Sequence, residues 1–144
     1  MEKTKGNHKR FIGIDTGVNT GYAVWDSEAK EFIMLTTLSI HDAMFFVKDA
    51  YALYGGNLFV RVEDARKRRW FGNIGKERLK GAGSVERDAK IWEDFLKDLK
   101  VDFEMVHPKN NRTKTSPELF KKITGYRGKC SQHARDAAML VVGF

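Results

Sequence analysis

Three strand-like runs crowd into the chain before residue 38, and that crowding constrains the fold more than any other feature. Phe11–Asp15 is a short aromatic and β-branched run that stops at the turn signal Thr16-Gly17. Thr20–Trp25 and Glu31–Thr37 follow, joined through polar Asp26-Ser27. Linkers this short suit hairpins, so the three runs are expected to form an antiparallel meander. Beyond it the rhythm changes. A helix is predicted from about Ser39 to Tyr54, with Met44, Val47, Tyr51 and Tyr54 on one stripe and Gly55-Gly56 as its stop. Leu58–Glu63 reads as a fourth strand, with Leu58, Val60 and Val62 on one face and Phe59, Arg61 and Glu63 on the other. The basic stretch from Ala65 to Gly83 reads as a loop, with Gly81 and Gly83 as a hinge. A second helix is expected from Ser84, where Val85, Ala89, Trp92, Phe95, Leu96 and Leu99 recur at a period near 3.6. Val101–His107 makes a fifth strand, ended by Pro108. Ser116-Pro117-Glu118 starts another helix that Gly125 ends, and Ser131 caps a last one expected to run to the C-terminus. Neighbouring strands followed by strands alternating with helices imply an α/β architecture, one five-stranded mixed sheet with helices on both faces.

At 144 residues the chain can bury one core. Residues 1–10 are polar, lack the apolar stretch of a secretory signal and are expected to form a flexible basic tail on a domain spanning 11–144. No apolar run approaches the roughly 20 residues of a membrane span. The single cysteine, Cys130, excludes an internal disulfide and a cysteine-based metal cluster. That fits a reducing compartment, and a cytoplasmic location is expected. The net charge of +7 is unevenly spread: residues 61–80 carry a net +5 and residues 107–129 a net +6, so the remainder is net acidic. Positive charge gathered in two segments suits a surface that neutralises phosphates. A solvated, solubilising surface is the plainer alternative.

Acids and an imidazole sit at the ends of elements expected to be buried. Asp15 ends the first strand and Glu63 the fourth; His133 and Asp136 lie three apart in the first turn of the last helix, hence on one face. That face continues through Ala137 and Leu140 and should point at the sheet. Uncompensated buried carboxylates are costly, and a divalent cation with a preference for oxygen ligands, Mg²⁺ or Mn²⁺, resolves the cost. Singly, each residue has an ordinary explanation. Asp15 fits a turn, Glu63 could pair with Arg61 or Arg66, His133 could sit in a core, and Asp136 suits a helix N-terminus. Their joint placement favours a site.

Phe-Ile-Gly-Ile-Asp-Thr-Gly (11–17), Thr20-Gly21-Tyr22-Ala23, Val-Glu-Asp (62–64) and His-Ala-Arg-Asp-Ala-Ala (133–138), in that order, resemble the RuvC family of Holliday junction resolvases, especially its small phage-type members. The resemblance is collinear over roughly residues 11 to 142. It implies an RNase H-like fold, two Mg²⁺ ions for which Mn²⁺ could substitute, and a homodimer that nicks opposed strands of branched DNA. By motif match Asp15 would bridge both metals, with Glu63 on one and Asp136 on the other; His133 would ligate a metal or orient the attacking water. Asp64 neighbours Glu63 but is expected on the opposite face. Around this centre, Arg66, Lys67, Arg68 and Arg69 adjoin Trp70 and Phe71, a pairing suited to phosphates and stacked or wedged bases. A second basic segment, Lys109, Arg112 and Lys114 with Lys121, Lys122, Arg127 and Lys129, flanks the entry to the last helix and could hold another arm of DNA. A dimer contact through the helix bearing Trp92 and Phe95 is open, as is a core role for both. Three other readings stand beside this one: an inert DNA-binding module, a nuclease of the same fold acting on flaps or RNA–DNA hybrids, and an ATP-binding protein of the actin type. The last needs two large lobes that 144 residues cannot supply.

Overall fold

The structure, a computed structural model, describes residues 6–67, 76–108 and 115–144, without the side chains of residues 67, 76–82 and 85. Its strands are β1 (Arg10–Asp15), β2 (Thr20–Asp26), β3 (Glu31–Leu38), β4 (Leu58–Glu63) and β5 (Asp102–Val106). Its helices are α1 (Ile40–Tyr54), α2 (Lys76–Leu99), α3 (Pro117–Thr124) and α4 (Gln132–Met139). The sheet runs β3-β2-β1-β4-β5. The meander β1-β2-β3 is antiparallel, whereas β4 pairs parallel with both β1 and β5. The helix between successive parallel strands is what permits that direction.

Alternation along the strands separates two cores. Ile12 and Ile14 of β1, Tyr22 and Val24 of β2, and Leu58, Val60 and Val62 of β4 face α1 and α2, where Ala43, Val47, Trp92 and Leu96 close the layer. Phe11, Ala23, Trp25 and Phe59 point the other way, against Phe120 of α3 and Ala137, Ala138 and Leu140 in and after α4. Helices therefore cover both faces. Trp92 is completely buried, which gives it to the core and removes it as a dimer contact. Among the described residues no helix is long and apolar enough to cross a membrane.

Local signals explain most boundaries. Ser39, Ser116 and Ser131 each accept a backbone N–H with the side chain and cap α1, α3 and α4. Gly125, at φ 72°, ends α3 in the left-handed conformation that disfavours a side chain. Two boundaries differ from expectation. Helix α2 begins at Lys76, not Ser84, so the anticipated glycine hinge lies inside it. The run Lys76-Glu77-Arg78-Leu79-Lys80 is built of strong helix formers, and glycines at 81 and 83 cost only about 1 kcal/mol each relative to alanine. Helix α4 stops at Met139 short of the C-terminus. The chain then turns through Gly143, at φ 86°, and the Phe144 ring stacks on Phe11.

The start of the fold also lies earlier than residue 11. Arg10 is the first residue of β1, and the Lys9 amide donates to the Asn57 carbonyl. His8 bonds Asp102 at 2.8 Å and packs edge-on against Phe59.

Candidate active site

Parallel pairing of β1 with β4 decides where the acids meet. The two strands run in register through Ile14 and Val62, so Asp15 and Glu63 occupy the next step at the same end of adjacent strands. Both belong to the odd-numbered face shared with Gly13 and Arg61, the face that carries α4. Asp15 keeps 15% side-chain exposure, while Glu63 and Asp136 are buried.

Helix α4 completes the site because two glycines let it descend onto the sheet. A Cβ at Gly13 would stand 2.0 Å from the Ala137 carbonyl oxygen, and one at Gly21 1.9 Å from that of His133. Either would force backbone apart. Gly21 sits opposite Asp15 in the β1–β2 ladder, so the close seat lies beside the acid. There the half-exposed His133 brings Nδ1 to 3.0 Å from Asp15 Oδ2. One turn along, Asp136 Oδ1 accepts a 2.8 Å bond from Gln132 Nε2. Arg135, 8% exposed, holds that turn in place. Its guanidinium donates to the Thr115 and Cys130 carbonyls and to Gln132 Oε1. The Ser131 and Thr37 hydroxyls are hydrogen-bonded, tying the cap of α4 to β3.

Burial governs the electrostatics of Asp15, and its neighbours modulate them. Burial pushes the Asp15 carboxyl up to about 6; the His133 bond opposes this, and the charges of Asp136 and Glu63 push it further. Asp15 therefore senses both other carboxylates, as well as the imidazole. Three carboxylates with one imidazole form a donor set suited to a hard divalent cation. Among the described residues no three such side chains are already drawn around a single point. The chemistry fits a cation, and binding one would require the carboxylates to close in.

Nearby charges have other partners. Asp64, buried, receives two 2.8 Å bonds from Arg66, whose guanidinium also reaches Glu93 of α2 at 3.2 Å. Arg66, grouped by sequence with the phosphate contacts, is thus engaged by carboxylates of the protein itself. Arg61 lies under the end of α4, donating to the Leu140 carbonyl and to Glu104. Arg61 and Arg66, the two partners anticipated for Glu63, thus bond other carboxylates. Lys67 is described only in its backbone. Arg68, Arg69, Trp70, Phe71, Lys109, Arg112 and Lys114 fall outside the described residues.

Sequence reading overlooked Gly13, Gly21, Gln132 and Arg135. The small residues at 13, 21 and 23 share one sheet face, a detectable sign of a helix in close contact. The Arg135 partners are backbone carbonyls, which leave no trace in residue type.

No protein-family model matches the chain, and no curated protein does. Among solved structures, it is similar to Thermus thermophilus RuvC in complex with a Holliday junction substrate. That similarity has a TM-score of 0.59 at 14% identity and covers 92% of this chain and 90% of that one. A looser likeness, to the large terminase nuclease of thermophilic phage G20c, has a TM-score of 0.41 at 13% identity and covers 85% of this chain and 54% of that one. With its sheet order, its helix-covered faces and a match to RuvC over nearly its whole length, the chain has the RNase H-like fold.

Proposed function

We propose that this chain is a metal-dependent nuclease that cuts branched DNA, nicking opposed strands of a four-way junction as a homodimer. The observation that carries the reading is the meeting of Asp15, Glu63, Asp136 and His133 at one end of the sheet, with Asp15 responding to the charge of both other carboxylates. Asp15, which senses the charge of both other acids, would be shared, with Glu63 and Asp136 as the outer ligands. Mg²⁺ or Mn²⁺ held there would neutralise charge on the phosphate and assist attack by water. His133 is fixed through Nδ1 by Asp15, and among the described residues Nε2 has no partner. That leaves Nε2 able to orient water or complete a coordination shell. Gln132 and Arg135 hold Asp136 in place, so rigid positioning is the protein's main contribution. RuvC, whose fold this chain shares, was solved on a Holliday junction, which supports the choice of branched DNA as substrate. Two-fold symmetry of a junction cut twice supports the dimer. A cytoplasmic setting accompanies the proposal.

The test is direct. Purified protein is incubated with labelled four-way junction, flap, duplex and RNA–DNA hybrid, in Mg²⁺ or EDTA, and the nicks are mapped. Paired symmetric incisions in the junction, abolished by EDTA, are expected. Selective cutting of flaps or hybrids would move the substrate within the same chemistry. Binding without scission in any divalent metal would refute the nuclease reading and leave a DNA-binding module.

A further inference from the structure

Cations in this fold are used in two ways. Arg10 bonds Asp26, Arg61 bonds Glu104, Arg66 bonds Asp64 and Glu93, and Lys90 bonds Asp94. Lys121, Arg127 and Lys129 are exposed and have no carboxylate partner among the described residues. All three line one concavity of about 420 Å³ between α3 and residues 126–130, and among the described residues no acidic side chain lines it. Lys121 also suits the last turn of α3, where a cation complements the helix dipole. Arg127 and Lys129 have no such helical reason to be there.

The walls of the concavity are built. The Tyr126 ring packs edge-on against Phe120, and Gly128 lies so close to it that a Cβ would come 2.7 Å from the Tyr126 hydroxyl oxygen. Behind them stands the buried Arg135, bonded to the Cys130 carbonyl and to Gln132. Gln132 is the residue that holds Asp136. Converging unpaired cations repel one another, and an anion relieves that cost. The volume exceeds the needs of a lone ion and falls in the range of larger ligands.

We infer that this pocket seats a short stretch of the nucleic-acid backbone, its two or three phosphates distinct from the phosphate that is cut and held at a fixed offset from it through Arg135 and Gln132. The inference rests on the proposed action on DNA. Lys121, Arg127 and Lys129 supply the charge, and Tyr126 offers a half-buried ring to the adjoining sugar or base.

Affinity for a labelled four-way junction is measured in EDTA across a salt series, so cleavage plays no part. The triple variant K121Q/R127Q/K129Q is expected to bind at least tenfold more weakly near ~100 mM salt and to lower the salt slope by about 2–3, one unit per lost phosphate contact. The charge-matched control K48Q/K90Q/K100Q, exposed elsewhere, is expected to change the slope by less than about 1. Equal losses in both variants, or an unchanged slope in the triple variant, would overturn the pocket. So would tight binding of inorganic phosphate that the triple variant abolishes while junction affinity stays intact. Should the triple variant melt early, Arg127→Gln alone carries the test, with an expected slope loss of about 1. A wild-type protein that cuts nothing, yet loses affinity as described in the variant, would refute the nuclease reading and leave the pocket standing. A wild-type protein that binds no nucleic acid would end both.

Discussion

Asp15→Asn should make the metal-free protein more stable, and by an amount that depends on pH. The carboxyl is raised from 3.8 to about 6 by burial and by the charges of Asp136 and Glu63. Between those values the folded protein binds more protons than the unfolded chain. Its contribution to stability is therefore fullest below about 3.8 and is lost as pH rises through about 6. At 1.36 kcal/mol per pH unit, the ionised carboxylate costs the fold about 3 kcal/mol at neutral pH, a ceiling lowered by local relaxation. Asparagine keeps the shape and can still bond His133, and it carries no charge. In EDTA the variant should melt on the order of 10 °C higher than wild type at pH 8 and close to it at pH 4. Urea or thermal melts at several pH values measure the difference. Added Mg²⁺ should raise wild-type stability and narrow the gap, because a ligand bound only by the folded state stabilises it. Parallel pH profiles for the two proteins in EDTA would refute the claim that burial and the neighbouring carboxylates hold the Asp15 carboxyl up.

Gly13→Ala should destabilise the fold by about 1–3 kcal/mol or more in urea melts, since its methyl meets the Ala137 carbonyl at a distance backbone must yield to; a neutral result would mean that α4 sits farther from the sheet. Gln132→Ala should leave the melting temperature within a few degrees of wild type and reduce Mg²⁺-dependent cleavage about 10- to 100-fold, as loss of a ligand's supporting bond does; Gln132→Glu, which can accept from Arg135 but not donate to ionised Asp136, should fail to restore it. Arg66→Ala should cost about 2–3 kcal/mol, because it removes the guanidinium bonds to the buried Asp64 carboxylate, and should alter junction affinity less than the pocket variant does.

The fold was legible where one residue type carries a local instruction. Ser39, Ser116 and Ser131 marked helix starts, and Gly125 marked a stop, because capping is a contact between neighbours. The meander was legible for the same reason: short links leave adjacent strands little choice but to pair. The start of α2 was not, because the cost of Gly81 and Gly83 had to be set against the helix formers on either side. Nor was the end of α4, where apolar Leu140, Val141 and Val142 continue a helical pattern while the chain turns. For the candidate site, strand-end acids could be picked out, but not what brings the helix to them. Glycines 13 and 21 act only through what stands opposite, and Arg135 holds carbonyls from segments that tertiary folding alone assembles.

The position of β1 in the middle of the sheet governs when the candidate site can come into being. On one side it pairs with β2, reached by a short turn; on the other with β4, which must first cross by way of α1. Local pairings form more readily than distant ones, so a nascent chain can close the meander and display Asp15 while Glu63 and Asp136 are still unplaced. Each remaining acid arrives with its own long-range event, the docking of β4 and then of α4 from the far end of the chain. Incomplete or truncated molecules would thus carry at most two of the three carboxylates and no complete site. A full set of acids is confined to copies that have finished folding.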